Sequence, residues 1–349
     1  EIPSVYGASR YEQKVTEAPS SVSIVTSADI KHYGYRNLGE ILESVPGLYT
    51  TYDRNYSYLG MRGFARAGDY NTRVLLLVDG HRLNDAVYDQ APIGTDFPVD
   101  VDLIDRVEII RGPSSSIYGT NAFLGVINVI TKRGRDLRGS EVSGEYGSYE
   151  TYRGRYTYGN RTRDGVEFLL SGSYYDSLGD DHYYRPFRHS HRGIASNCDD
   201  ERFYGLFSKA SYQDFTLMGV FHSREKGIPT APWDVIFNDP STRTTDHRAF
   251  LDLKYDRELG DRLDLSAHLY YDHYRYDGDY AYWQDPDRRW NRVLQKDYAR
   301  GEMAGADVQL TKRWLENHKL LLGSEYRGSF RQDQGTYDNH PYRLLMKER

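Results

Sequence analysis

The segment with the most side chains capable of metal chemistry in this 349-residue sequence is the polar stretch 177–200. It combines carboxylates, histidines and the single cysteine: Asp180, Asp181, Asp199, Asp200, His182, His189, His191 and Cys198. Clustered carboxylates can bind Ca²⁺, whereas histidine and cysteine favour copper or zinc. No regular ligand spacing supports either metal, so a solvated, charged loop stays open as a third interpretation.

Sequence signatures of enzymes are missing. The segment 112–116 lacks the GK[ST] ending of a phosphate-binding loop, and neither GxGxxG nor HExxH occurs. One cysteine provides neither an internal disulfide nor a CxxC metal site. We therefore expect a protein that is not an enzyme and that holds no cofactor, with loop Ca²⁺ as the one candidate.

The composition is poor in apolar residues and rich in aromatic ones. Hydrophobic residues make up 38%, aromatic residues 14% and charged residues 28%, and the net charge is −6. The aromatic content argues against a disordered chain, and charges of both signs do not indicate nucleic-acid binding. The longest apolar runs, 74–78 and 123–130, are far shorter than the roughly 20 residues of a membrane-spanning helix.

The elements that position these side chains differ between two parts of the chain. Residues up to 137 contain short mixed elements: predicted strands at 21–25, 73–78, 106–110 and 126–131, and predicted helices after Ser27 and over 38–45. Ser27 is the expected N-cap of the first helix, with Asp29 in its first turn. This part is predicted to be a small α+β domain.

From Glu141 onward the hydrophobic period changes to two. Leu251 and Leu253 alternate with Asp252 and Lys254, for example. Segments of about 10 alternating residues that are separated by turns are typical of a transmembrane β-barrel. A soluble β-sandwich or propeller shows the same alternation and stays open as an alternative.

The connections between these predicted strands fall into two groups. Those at 161–165, 213–214 and 258–261 are short, whereas those near 177–200, 225–246 and 277–295 are long and polar. Outer-membrane barrels have short periplasmic turns and long extracellular loops.

Five blocks of the first part resemble the plug domain of TonB-dependent outer-membrane receptors. They are SVSIVTSADI (21–30), LGEILESVPGL (38–48), LGMRGF (59–64), RVLLLVDGHRLND (73–85) and IDRVEIIRGPSSSIYGTNAFLGVINVITKR (104–133). The resemblance implies a transmembrane β-barrel of the 22-stranded type, filled by an N-terminal α+β plug domain. It divides the chain into a TonB-box-like segment 1–15, a plug 16–137 and the N-terminal portion of the barrel 138–349.

The resemblance also implies roles for individual residues. Arg62 and Arg111 correspond to the ionic lock between plug and barrel, and we expect Glu108 to orient them. A salt bridge within the plug that has no role in transport is the alternative. Ile2, Pro3, Ser4, Val5 and Tyr6 stand in the place of the TonB box, which pairs with TonB as an added strand. Pro3 interrupts the usual valine-rich run, and an ordinary frayed terminus is the alternative.

Ligand contacts are implied at the apices of the plug. The corresponding residues are Tyr52, Arg54, Asn55, Tyr56, Tyr58, Arg66, Asp69, Tyr88, Asp89 and Gln90. Tyrosine offers a flat apolar face with a hydroxyl, and arginine binds anionic oxygens, so this set suits a ferric siderophore. Solvated loop residues are the alternative for any one of them. The family's cobalamin receptors bind calcium in extracellular loops, which is the precedent for loop 177–200.

About nine strands fit the pattern after residue 140, fewer than a closed barrel of this type needs. Lipid does not tolerate unpaired strand edges, so we expect that this chain alone does not close a barrel.

The predicted function is TonB-dependent import of a scarce metal complex across the bacterial outer membrane. A ferric siderophore is the first expectation, followed by cobalamin and other metal chelates such as haem or copper. The expected partners are the TonB–ExbB–ExbD complex, the metal-chelate ligand, and outer-membrane lipid and lipopolysaccharide, with no nucleic acid. The alternatives are a surface-recognition or bacteriocin receptor without transport, sugar uptake without energy coupling, and a soluble β-rich enzyme.

Overall fold

The computed structural model describes residues 21–66, 68–260, 262–285, 290–313, 318–339 and 342–348, together with the backbone of residues 4–5 and 13–14. Residues 21–137 form a mixed helix and strand unit, here called the N-terminal unit. Most of the remaining described residues form one large antiparallel sheet.

The N-terminal unit and the segment before it contain short elements. They are β1 (Ser4–Val5), β2 (Gln13–Lys14), β3 (Ser21–Thr26), α1 (Ser27–Tyr33), α2 (Leu38–Glu43), β4 (Leu48–Tyr52), β5 (Ser57–Met61), β6 (Val74–Val78), β7 (His81–Arg82), β8 (Ile104–Arg111), α3 (Ser115–Tyr118), β9 (Gly125–Thr131) and α4 (Gly134–Leu137). A five-stranded sheet has the order β3-β8-β9-β6-β7, with β6 and β9 parallel. β4 and β5 form a separate antiparallel hairpin.

Helix α1 begins one residue earlier than predicted. Thr26, not Ser27, is the N-cap, and its hydroxyl accepts a hydrogen bond from the Asp29 N–H at 3.2 Å. The Asp29 carboxylate accepts the Thr26 N–H at 2.9 Å, which completes a capping box. Asp29 is in the first turn as predicted, and Gly34, at φ 70°, ends the helix.

The core of the N-terminal unit continues into the large sheet. Leu38, Ile41 and Leu42 are fully buried, as their helical spacing predicts, and every residue of β6 is buried. The same hydrophobic cluster contains side chains from the large sheet: Leu169, Phe207, Met218, Val220 and Phe250. The N-terminal unit therefore packs directly against one face of that sheet.

The large sheet contains ten strands in sequential order, each antiparallel to its neighbours. They are β10 (Gly139–Gly147), β11 (Thr151–Arg161), β12 (Glu167–Ser177), β15 (Glu201–Tyr212), β16 (Phe215–Gly227), β17 (Arg243–Glu258), β18 (Leu263–Asp285), β19 (Trp290–Arg313), β20 (Lys319–Asp338) and β21 (Arg343–Glu348). A small hairpin of β13 (His182–Tyr183) and β14 (Ile194–Ala195) lies between β12 and β15.

The strand count exceeds the prediction of about nine, because β21 carries no period-two signal. Its apolar residues Leu344, Leu345 and Met346 are consecutive. Within the residues described, β10 pairs only with β11 and β21 only with β20, so the sheet is open as expected.

One predicted loop is wrong. The polar stretch 277–295 lies mostly within β18 and β19, whose strands pair as far as Asp285 and Trp290. Polar side chains on both faces hide the alternation here, although the backbone ladder continues. The connections 178–200 and 228–242 are long, as predicted.

Alternation along β17 separates two chemical environments. Asp246, Arg248 and Asp252 point to the face that the N-terminal unit covers and are buried, whereas Leu251 and Leu253 point to the opposite face and are exposed. Charged residues thus face inward and leucines face outward.

No helix in the described ranges is long and apolar enough to cross a membrane.

Candidate functional site

The ten predicted ligand contacts divide into accessible and buried side chains. The accessible or half-accessible members are Tyr52, Arg54, Arg66, Asp69, Tyr88 and Asp89. The buried members are Asn55, Tyr56, Tyr58 and Gln90. The buried four do not present their side chains to a ligand in this structure, and each has another role.

The turn between β4 and β5 is ordered by Asp53. Its Oδ1 accepts the backbone N–H groups of Asn55 and Tyr56 at 2.8 and 2.7 Å, and its Oδ2 accepts the Tyr58 hydroxyl at 2.7 Å. Burial and this bond to a carboxylate raise the pKa of Tyr58. Tyr58 therefore holds the turn together, and Arg54 occupies its exposed corner at φ 75°.

A buried arginine from the large sheet holds Asn55. Arg224, which is 1% exposed, donates to the Asn55 carbonyl at 2.7 Å and to the Asn55 side-chain oxygen at 3.4 Å. Its Nε also donates to Glu201 at 2.7 Å, and Thr244 donates to the same Asn55 side-chain oxygen at 2.9 Å. Asn55 is thus an anchor between the β4–β5 turn and the sheet.

Tyr56 has a similar role. Its hydroxyl donates to Asp246 of β17 at 2.8 Å, and Tyr274 lies 3.4 Å from the other oxygen of the same carboxylate. Burial and the nearby Asp246 charge raise the pKa of Tyr56 well above its ordinary value. The hydroxyl therefore stays protonated and acts as a hydrogen-bond donor.

A second buried arginine holds the segment 85–90. Arg248 lies 3.3 Å from the Asp85 carboxylate and donates to the Gln90 side chain at 3.1 Å. Gln90 in turn donates to Asp96 at 3.1 Å. Burial raises the pKa of Asp96 to about 6, against the opposing charges of Arg224 and Arg248. Gln90 therefore connects two parts of the N-terminal unit to the sheet.

Tyrosine rings lie between these two anchored segments. Tyr70 stacks on Tyr88 with centroids 6.4 Å apart, and Tyr56 packs edge-on against Tyr70 at 5.7 Å. Tyr88 also meets Tyr274 and Tyr276 of β18 edge-on at 6.3 and 6.4 Å. These five rings form an aromatic cluster that spans the N-terminal unit and the sheet.

Arg66 and Asp69 border a cavity of about 130 Å³ on the N-terminal unit. The Asp69 carboxylate accepts the Thr72 hydroxyl at 2.7 Å and lies 3.4 Å from Arg73. Asp69 is therefore engaged within its own segment.

The predicted ionic lock of Arg62 and Arg111 does not reach the large sheet within the described residues. Arg62 donates to the Arg111 carbonyl at 2.6 Å. Arg111 donates to the Pro46 carbonyl at 2.7 Å and to the Ser21 and Ser23 hydroxyls at 2.8 and 3.1 Å. These bonds tie segments of the N-terminal unit to each other.

The orienting role predicted for Glu108 stays a prediction, and the geometry of β8 does not favour it for Arg111. Glu108 and Arg111 are three positions apart on β8, so their side chains lie on opposite faces of the strand. Glu108 instead pairs with Arg106 at 2.9 Å.

The turn that joins β6 to β7 makes the contacts with the sheet that the lock was expected to make. The Asp79 carboxylate accepts Lys209 at 2.8 Å, and Lys254 donates to the Asp79 carbonyl. Burial alone would raise the pKa of Asp79, but the two lysines lower it below its ordinary value. His81 lies between Asp252 and Asp272. Neither Asp79 nor His81 is among the predicted site residues. The only signal in the sequence is their position in a polar segment directly after the apolar run 74–78.

The acidic residues of loop 177–200 form ion pairs and hydrogen bonds with protein groups. Asp199 binds Lys226 at 2.6 Å and His182 at 2.8 Å through its two oxygens. Burial opposes ionisation of Asp199, but Lys226 and His182 outweigh it and lower its pKa.

The other members of this loop also have partners. Asp200 pairs with Arg243 at 3.3 Å, Asp181 accepts the Ser196 hydroxyl at 3.0 Å, and the Asp180 N–H donates to Asp199 at 3.5 Å. Across the described ranges, no group of three His, Cys, Asp or Glu side chains is arranged so that it could hold a metal ion. The candidate calcium ligands Asp180, Asp181, Asp199 and Asp200 are thus each engaged with protein groups, and their role in metal binding stays a prediction.

The proposed TonB box falls mostly outside the described residues. Ser4–Val5 form β1, which pairs antiparallel with β2. Ile2, Pro3 and Tyr6 lie outside the described residues.

Comparisons with known proteins identify the N-terminal unit. Residues 14–126 match the family model described as TonB-dependent Receptor Plug Domain. The Vitamin B12 transporter BtuB of Vibrio vulnificus (strain CMCP6) is 28% identical over 220 residues, which are 61% of this chain and 33% of that protein.

Solved structures match nearly the whole chain in fold. The ferripyoverdine receptor of the Pseudomonas aeruginosa outer membrane aligns with a TM-score of 0.68 at 17% identity, covering 97% of this chain and 46% of the receptor. The ferric-catecholate import receptor Fiu of E. coli K12 aligns with a TM-score of 0.66 at 16% identity, covering 93% of this chain and 51% of that receptor.

The chain spans 33% of the length of the curated relative and 46% of the ferripyoverdine receptor. The low structural identities establish a shared fold only. Residues 14–126 therefore match the plug-domain family of TonB-dependent receptors, and the chain as a whole is similar in fold to solved receptors of the outer membrane.

Proposed function

We propose that this chain is part of a receptor that imports a ferric siderophore across the bacterial outer membrane, energised by the TonB–ExbB–ExbD complex. The observation that carries the proposal is the two-sided turn between β4 and β5. Tyr52 and Arg54 are accessible on one side, and Asn55 and Tyr56 are bonded to the barrel wall on the other.

The accessible side has the chemistry for an anionic, oxygen-rich ligand. The Arg54 guanidinium lies 5.9 Å from the centre of the Tyr52 ring, so a cation and an aromatic face are presented together. Arginine forms charge-assisted hydrogen bonds to anionic oxygens, and tyrosine adds apolar contact at a small entropic cost. Tyr88, Asp89 and Arg66 complete the proposed accessible set.

The buried side connects the turn to the wall. A ligand that moves Arg54 also moves Asn55, the next residue, whose carbonyl and amide oxygens accept from Arg224. We therefore expect ligand binding to change how the plug is seated before TonB engages the segment Ile2–Tyr6. The proposed boundaries stay at 1–15, 16–137 and 138–349, supported by the start of β10 at Gly139.

Cobalamin is the second candidate, because the curated relative is named a vitamin B12 transporter. A surface-recognition role without transport is the third. One similar solved structure is a complex of FpvAI with pyocin S2, which supports this candidate.

Growth tests in the natural host separate these candidates. Cells with the chromosomal gene intact or deleted are grown under iron limitation with a panel of ferric siderophores, and in parallel on cobalamin-dependent medium. We expect the intact gene to rescue growth on at least one siderophore. Rescue on cobalamin alone would overturn the siderophore assignment.

Energy coupling is tested in the same cells. Deleting tonB, or residues 1–10 of the receptor, should abolish uptake while surface binding of the ligand persists. Uptake that survives both deletions would contradict the TonB-coupled mechanism.

A further inference from the structure

The β6–β7 turn of the plug carries two opposite charges two residues apart, Asp79 and His81. The turn inserts against β15, β17 and β18 of the barrel wall. Asp79 meets two wall lysines, and His81 meets two wall aspartates. The wall therefore presents the opposite charge at each position of the turn.

The His81 ring bridges the two aspartates. Nδ1 lies 3.1 Å from Asp252 Oδ2, and Nε2 lies 2.9 Å from Asp272 Oδ1. The side chain is 1% exposed, and its ring stacks on Phe250 with centroids 4.1 Å apart and an interplanar angle of 17°. Tyr270 packs against the ring edge-on at 5.4 Å. Both ring nitrogens are thus fixed toward carboxylate oxygens.

Between two ionised aspartates, this arrangement suits the charged form of the ring. A neutral imidazole has one N–H group, so one aspartate would face a ring lone pair. An imidazolium donates to both carboxylates and compensates part of their buried charge. Within the described residues, Asp252 Oδ1 and Asp272 Oδ2 are buried without hydrogen-bond partners, which increases the dependence of both aspartates on the ring.

Other charged or titratable groups surround the bridge. On the wall, Lys254 and His268 act electrostatically on Asp252. Tyr270 contacts the ring, and Arg82 follows His81 on the plug. Burial alone would lower the pKa of His81, but Asp272 and Asp252 outweigh burial and raise it to about 9.

We propose that His81 is a positioning residue that latches the plug to the barrel wall in a proton-dependent manner. As an imidazolium it holds the β6–β7 turn between β17 and β18, and loss of its proton releases the turn. The latch is independent of which ligand the receptor carries. It also lies at a different place from the predicted Arg62 and Arg111 lock, which stays within the plug.

The sign of the pH dependence follows from the direction of the shift. A histidine whose pKa is raised in the folded state, from 6.5 to about 9, stabilises the closed turn fully below 6.5. That contribution is lost as the pH rises through about 9. Each pKa unit corresponds to a tenfold change, so the opening equilibrium should rise roughly 100-fold between about pH 6 and pH 9.5.

The test is hydrogen exchange, measured by mass spectrometry on the full receptor that is expressed from its natural gene and then purified. Protection factors of the amides in 78–82 are measured from about pH 6 to pH 9.5, with intrinsic exchange rates divided out. Wild type should lose roughly 100-fold in protection over this range. His81→Phe keeps an aromatic ring but has no hydrogen-bond donor. In this variant the amides in 78–82 should be unprotected, and their protection factors should not change with pH.

Two further variants keep the test decisive if His81→Phe does not fold. His81→Lys restores a cation, so it should keep the turn protected at pH 9.5, where wild type is open. His247→Phe removes an outward-facing histidine of β17 and should behave as wild type. A wild-type profile without pH dependence, or His81→Lys opening at the same pH as wild type, would overturn the latch.

Discussion

Replacing Arg224 with methionine tests whether the buried wall arginine seats the β4–β5 turn. Methionine fills much of the same volume but removes the charge and every donor. The substitution leaves Glu201 without its 2.7 Å partner and the Asn55 carbonyl without its 2.7 Å donor. Asp246, 3.8 Å from the guanidinium, also loses a neighbouring positive charge.

The size of the effect follows from burial. The Arg224 side chain is 1% exposed and that of Glu201 is 11% exposed, so removal of the arginine leaves buried charge uncompensated. Breaking a buried ion pair by removing one partner costs about 3–5 kcal/mol. At about 1.4 kcal/mol per factor of ten, the opening equilibrium of the turn should rise by about 100-fold or more.

Arg243→Met is the matched control. Arg243 begins the neighbouring strand β17, its side chain is 28% exposed, and it pairs with Glu225 and Asp200. A pair with this exposure contributes about 0–1 kcal/mol, so its loss should change the opening equilibrium by less than about tenfold.

The assay is hydrogen exchange of the amides in 53–58, which include the Asn55 and Tyr56 N–H groups bonded to Asp53. Arg224→Met should reduce their protection far more than Arg243→Met, while the amides of α2 stay protected. Equal losses in the two variants would refute the inference that buried wall arginines seat the turn.

Three further predictions follow from other contacts. Arg54→Ala should weaken binding of an anionic ferric siderophore by about tenfold, because a hydrogen bond to a charged group contributes about 1.5 kcal/mol. A fluorescence titration measures the affinity, with a neutral chelate as control. Unchanged affinity would remove Arg54 from the ligand site. Because burial raises the pKa of Asp96 from 3.8 to about 6, plug stability should fall as the pH rises through that interval. Asp96→Asn should abolish this fall and add up to about 3 kcal/mol at pH 7.5 in denaturant titrations, and a destabilised variant at that pH would contradict this. Because Asp199 already binds Lys226 and His182, neither Ca²⁺ nor EDTA should alter hydrogen exchange in 178–200; calcium-dependent protection there would restore the metal site.

Local periodicity made much of the fold predictable. The exposed Leu251 and Leu253 and the buried Asp252 and Lys254 lie on the faces that a period of two assigns to them. The buried residues of α2 likewise follow from helical spacing. Such patterns depend on neighbours in sequence, so one chain is enough to reveal them.

Contacts between distant segments could not be predicted in the same way. His81 and Asp252 are 171 positions apart, and Tyr56 and Asp246 are 190 apart. Residue type indicated that tyrosine and asparagine in 52–58 could bind a ligand, but it did not indicate which of them the wall would cover. For Glu108 and Arg111 the sequence does carry a local signal, because residues three apart on a strand point to opposite faces.

The failure over 277–295 shows a limit of hydropathy patterns. Alternation of apolar and polar residues marks a strand only where one face lies in an apolar environment and the other in a polar one. Tyr280 and Gln295 pair across β18 and β19, but the strands there carry polar residues on both faces. The backbone continues its ladder without a signal in the side chains.

The charges of the β6–β7 turn also fix the rotational orientation of the plug about the barrel axis. Neighbouring strands are about 4.8 Å apart, so a plug turned by one strand would bring unlike partners out of alignment. Asp79 would then leave Lys209 and Lys254, and His81 would leave Asp252 and Asp272, with the loss of four favourable contacts at once. Hydrophobic packing between plug and wall would be similar at several rotations of the plug, whereas this pair of charges favours one rotation over the next.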